Sequence, residues 1–191
     1  MKLVIGLFFI VISMVLLGLL LTSRGLFKAK PSESAEKFWA WALGLDVVGL
    51  FLFGVYMAIA TDFTQTMFIG TVANTAMLMA YVYQALNIRG LRKPILPQTK
   101  WLSVALVLAV GVAWHFGKAY STPEGRAFFM AAATACVFVW QILEIHQGRV
   151  LFAELSAMRM LTYFVALELV LTLVRVAIFS GQLGMLTVQQ I

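Results

Sequence analysis

The chain has 191 residues, 62% of them apolar and only 12% charged, with a mean hydropathy of +0.96. A soluble domain carries about 25% charge, so this composition excludes one, and the length suits a single membrane module spanning 1–191 with no appended water-soluble catalytic domain. The net charge of +6, from 14 Lys and Arg against 8 Asp and Glu, reads in such a chain as a topology signal rather than a nucleic-acid footprint.

The first element follows one basic residue, Lys2, and covers 3–22, twenty uncharged and mostly apolar residues. That is longer than the roughly 7 to 15 residues of a secretory signal core, so a retained transmembrane helix is expected. A polar stretch at 23–37 follows, with Pro31 and with Ser32 placed to cap the next helix. The second span is 38–60. It carries Asp46 among Gly44, Gly49 and Gly54, whose small size lets a neighbouring helix come close. Asp46 is expected to face the bundle interior, either as hydrogen-bonded structure or as a proton or cation site.

The third span, 67–88, contains Asn74, which can donate and accept across a helix interface. An extended connector at 90–99, with Pro94 and Pro97, separates it from a short fourth span at 101–117. Lys100 and Lys118 bracket that span and can snorkel outward. The fifth span, 127–145, holds Cys136, expected to pack as a small hydrophobe, and Glu144, one turn from the helix end and expected to reach water. Two alanine rows, Ala105, Ala109 and Ala113 on the fourth span and Ala127, Ala131 and Ala135 on the fifth, suggest close helix approach. The sixth span, 160–180, places Glu168 and Arg175 seven residues apart, on nearly one face and about 10 Å apart along the axis. An internal ion pair is the expected arrangement, with snorkelling of Arg175 as the alternative. The tail from Gly181 to Ile191 is short and nearly uncharged.

No segment alternates with the period of two that a lipid-facing barrel requires, so the fold class is an all-α bundle of six transmembrane helices. Its orientation comes from the loops. The first, third and fifth loops hold Arg24, Lys28, Lys30, Lys37, Arg89, Arg92, Lys93, Lys100, Arg149 and Arg159, ten residues against three on the other side, Lys2, Lys118 and Arg126. The positive-inside rule makes the richer loops cytoplasmic and both termini periplasmic. Trp39, Trp41, Trp101 and Trp114 fall near span ends, where amphipathic rings prefer the interface.

Catalytic and cofactor chemistry finds no foothold. His115 and His146 fall near opposite membrane surfaces in this topology and cannot ligate one haem iron, and no His, Cys or carboxylate cluster has metal-ligand spacing. No span holds a lysine for a retinal Schiff base, and no phosphate loop, nucleophile elbow or zinc-protease helix is present. The expected site residues are therefore Asp46, Asn74, Glu144, Glu168 and Arg175, structural or signal-responsive, with no catalytic, cofactor or metal residues.

The layout resembles the multi-helix membrane sensor region that precedes GGDEF diguanylate cyclase domains in bacteria. The residues that carry this are the basic end of the first helix at Arg24, the stretch GTVANTAMLMAYVYQALNIRGL with Asn74 and Arg89, EGRAFF at the fifth helix, and MRMLTYFVALELVLTLVR with Arg159 and Arg175. The resemblance covers nearly the whole chain and implies a non-enzymatic signal-input role in cyclic di-GMP signalling at the bacterial inner membrane. Two departures stand beside it: a seventh helix is missing, and so is any GGDEF sequence. The expectation is either a fragment of a longer signalling protein or a stand-alone sensor-like bundle. The alternative reading is an accessory subunit packed against a larger membrane complex, and a small transporter comes third, since no broken helices or inverted repeats are visible. Expected partners are the lipid bilayer and other membrane subunits or a second copy, with no nucleic acid.

Overall fold

The structure, a computed structural model, describes residues 2–26, 33–59, 67–117, 122–148 and 156–189. All regular structure among them is helical: α1 (Lys2–Leu26), α2 (Glu33–Ile59), α3 (Met67–Arg92), α4 (Pro97–Gly117), α5 (Pro123–Gln147) and α6 (Ser156–Gln189). Ser32, expected to cap α2, lies outside the described residues.

The helices outrun the apolar stretches read from sequence because their polar ends continue the same backbone pattern. α3 runs through Gly90 to Arg92, and its last turn carries Arg89 and Arg92, which favour the negative end of the helix dipole. Pro94 disfavours helical backbone at the preceding residue and supplies no N–H, so α3 stops there. Pro97 then stands at the first position of α4, where a missing N–H costs nothing. Only residues 93–96 lie between the two helices, a shorter connector than the expected 90–99. α5 starts on a built cap: the Thr122 side chain accepts a hydrogen bond from the Gly125 N–H at 3.1 Å, and Pro123 follows it. α6 has 34 residues, about 51 Å of helix, and absorbs most of the stretch read as a tail, since that stretch holds two glycines but no proline.

Five helices are long and apolar enough to cross a membrane, over Leu3–Thr22, Glu36–Ile59, Pro97–Gly117, Gly125–Gln147 and Arg159–Ile178. α3 is the exception among the six, and its setting explains why. It packs against α2 on one side and meets α4 on another, and Ala73, Ala80, Ala85 and Leu86 are fully buried along it. A helix enclosed by other helices can carry Thr71, Asn74, Thr75 and Gln84 without presenting them all to lipid.

The chain forms two compact units, Met1–His115 and Phe116–Ile191. In the first, glycines set how closely the helices approach. A Cβ on Gly6 would lie 2.7 Å from the Gly54 carbonyl oxygen, and one on Gly54 would lie 2.8 Å from the Gly6 carbonyl oxygen, so α1 and α2 meet backbone to backbone. Gly49 does the same between α2 and α3, where a Cβ would stand 2.6 Å from Met77 Cγ and 3.2 Å from the Ala73 carbonyl oxygen. Gly44 differs: its Cβ would find only Leu20 Cδ2, at 3.9 Å. Edge-to-face Phe9 and Phe53, centroids 5.0 Å apart, and stacked Phe38 and Tyr83 at 5.7 Å complete these two seams.

On α4 the alanine row does not face a helix. Ala105, Ala109 and Ala113 are exposed, while Val107, Gly111 and Trp114 are buried, with Gly111 fitted so tightly against Thr75 that a Cβ would meet Thr75 Oγ1 at 2.5 Å. Trp114 is accordingly a packed residue rather than part of an interfacial belt, whereas Trp39, Trp41 and Trp101 are exposed. In the second unit α5 packs along α6, burying Ala135, Phe138 and Ile145 on α5 and Val165 on α6. Ala127 and Ala131 are half-buried. Cys136 points away from this seam and is exposed, not packed.

Candidate functional site

Polar side chains on apolar helices are the chemically distinctive groups here, because each must be solvated by protein or carry a cost. Three of them cross between helices of the first unit. Ser13 Oγ on α1 donates to the Val47 carbonyl oxygen on α2 at 2.9 Å. Gln84 Nε2 on α3 donates to Asp46 Oδ2 on α2 at 3.2 Å. Thr71 Oγ1 on α3 and His115 Nδ1 on α4 lie 3.2 Å apart, with the imidazole edge-on to Phe68 at 6.3 Å between centroids. Together these contacts tie α1 to α2, α2 to α3 and α3 to α4.

Asp46 thus occupies the interior position expected of it, half-buried, with an amide donor as its partner. Gln84 was not singled out in the sequence because it lies one turn from the end of the predicted third span, where an amide would ordinarily reach headgroups. Its signal was available only as one more polar residue on a helix already richer in them than its neighbours. Asn74, by contrast, does not bridge helices through its amide nitrogen: Nδ2 donates back to the Gly70 carbonyl oxygen at 2.8 Å, four residues earlier on α3. Thr75 does the same toward the Thr71 carbonyl oxygen at 2.8 Å. Short polar side chains on a helix satisfy themselves on the preceding turn when a neighbouring helix offers nothing closer.

Glu144 corrects another expectation. It is 4% exposed instead of reaching water, and its Oε1 accepts a hydrogen bond from Trp140 Nε1 at 3.1 Å, one turn back on α5. Gln141, between them and 1% exposed, belongs to the same buried polar stretch and was missed because a single amide in an apolar run gives no sequence signal.

Glu168 and Arg175 do not form the expected ion pair. Both are exposed, and among the described residues neither has an ion-pair partner. The reason is geometric: Val165 and Thr172 mark the buried stripe of α6, and Glu168 and Arg175 lie beside it at nearly equal azimuth, two turns apart, so the intervening turn separates their heads. Among the described residues no group of three or more His, Cys, Asp and Glu could hold a metal ion. His146 is exposed near the end of α5.

No protein family, no curated protein and no solved structure matches this chain.

Proposed function

We propose that the chain is the signal-input module of a bacterial inner-membrane signalling protein, non-enzymatic in itself, with six spans and both termini periplasmic. In this reading α3 is the sixth span, made tolerable in the membrane by its enclosure between α2 and α4. The orientation draws on the ten-to-three division of basic loop residues, and the class on the resemblance to sensor regions that precede cyclase domains.

The observation that carries the proposal is the hydrogen bond from Gln84 to Asp46. It crosses a helix pair held elsewhere by close approach at Gly49 and by ring stacking, and its strength depends on what occupies the carboxyl group. A proton, a cation or a ligand at Asp46 changes that bond and hence the relative stability of two arrangements of α2 against α3, which is what an input element requires.

Weighing the intact native gene product, isolated from its own membrane, tests this. A mass exceeding the 21.2 kDa of residues 1–191 by a transmitter or catalytic domain is the expected result. A mass of 21.2 kDa with a membrane partner held at fixed stoichiometry overturns it in favour of a second reading, an accessory subunit of a larger complex. That reading has its own observation: Glu168 is exposed near the middle of the apolar window Arg159–Ile178, where a charged side chain costs about 2.5 to 3.5 kcal/mol unless a partner helix covers it.

A further inference from the structure

α2 uses its three glycines in two ways. Gly49 and Gly54 are filled by neighbouring helices, but Gly44 is not, and the space left beside it belongs to a groove of about 410 Å³ between the end of α1 and the first half of α2. Leu20 closes one side, and Lys37, Trp41, Gly44 and Val48 follow one another along α2. The spacing of three or four residues keeps these four on one stripe of the helix.

Length and polarity then select an occupant. From Lys37 to Val48 is eleven residues, about 16 Å of helix, which is half of a hydrocarbon core of about 30 Å, the depth of one leaflet. The cation stands at one end and every other lining residue is apolar or, in Trp41, amphipathic. Trp41 is 63% exposed beside the groove, and indole rings favour the membrane interface. A water-soluble anion would leave the apolar length empty, and an extended peptide would bring backbone groups that the apolar walls cannot satisfy.

We infer that this groove binds one anionic phospholipid from the leaflet on the basic side, with its phosphate at Lys37 and an acyl chain lying over Gly44 to Val48. The site is independent of the signalling role proposed above. Glycine at 44 supplies the floor: a Cβ there meets only Leu20 Cδ2, at 3.9 Å, so a side chain added at 44 enters the acyl chain's path.

The test is native mass spectrometry of the full chain in detergent, titrated with phosphatidylglycerol and phosphatidylcholine of identical acyl chains. Wild type is expected to retain one phosphatidylglycerol in preference to phosphatidylcholine. Lys37→Gln should lower that preference roughly fivefold while an acyl chain is still held, the effect of one cation near an anionic surface. Gly44→Leu should reduce retention of both lipids about tenfold, and Gly18→Leu, at a site with nothing within 4 Å, should leave both unchanged. Equal retention of the two lipids by wild type, or unchanged retention in Gly44→Leu, overturns the site. If Gly44→Leu lowers the melting temperature, Gly44→Ala carries the decision, since a Cβ there meets nothing nearer than Leu20 Cδ2 at 3.9 Å.

Discussion

Asp46 and Gln84 make the sharpest residue-scale case, because the bond between them joins two helices. Truncating Gln84 to Ala removes the donor and leaves a carboxyl group half-buried, which should cost about 1 to 3 kcal/mol in detergent unfolding. Replacing both residues by Leu removes donor and acceptor together and should cost much less than the sum of the single changes. Thermal unfolding of Asp46→Leu, Gln84→Leu and the double variant measures the difference, and strictly additive losses would show that the bond contributes nothing to holding α2 on α3. Glu168 and Arg175 give the opposite expectation. With both exposed and unpaired among the described residues, Glu168→Gln and Arg175→Gln should add to within about 0.5 kcal/mol, and a larger coupling would mean that they meet in a state other than this one. Asp46 was legible in the sequence because an acid amid glycines in an apolar span has few uses. Glu144 was misjudged because distance along the chain from a span end says nothing about which face of the helix the side chain takes.

At the scale of helices, the glycines separate those that pack from those that do not. Gly54→Ala places a methyl group 2.8 Å from the Gly6 carbonyl oxygen and from Ile10 Cγ1, and a backbone atom cannot yield as a side-chain tip can. A loss of about 1 to 3 kcal/mol is expected, the usual cost of overpacking. Gly18→Ala on α1, with nothing within 4 Å, should instead gain up to about 1 kcal/mol from helix propensity. Chemical denaturation in mixed micelles reads both, and equal effects from the two changes would contradict the backbone-to-backbone meeting of α1 and α2. The small-residue rule found Gly49 and Gly54 correctly, because both lie on the face that α2 turns to its neighbours. The same rule failed for Ala105, Ala109 and Ala113, where the buried stripe of α4 is set by Val107, Gly111 and Trp114. Alanine is tolerated equally against a helix and against lipid, so a row of alanines does not say which face is covered.

Among the described residues the order of the six helices was readable, although only five are long and apolar enough to cross a membrane, because runs of about 20 apolar residues between charged or proline-bearing loops are long-range signals that survive errors at each end. Helix packing was less readable: apolar residues line both the lipid face and the helix seams, so hydropathy alone does not separate them. Charge asymmetry, however, is a property of whole loops, and it predicts orientation without any knowledge of packing. On that expectation the 93–96 connector is cytoplasmic and the approach to α5 lies outside. Leu96 and Thr122 are exposed positions in those two places and can each be replaced by cysteine after Cys136, which is itself exposed, has been changed to serine. A membrane-impermeant maleimide should then label Thr122→Cys in intact cells, and label Leu96→Cys only after the membrane is opened. The reverse pattern would invert the molecule, put the basic loops outside and place both termini in the cytoplasm. Labelling of both sites in intact cells would mean that an odd number of spans does not separate them, which would remove α4 from the set of helices that cross.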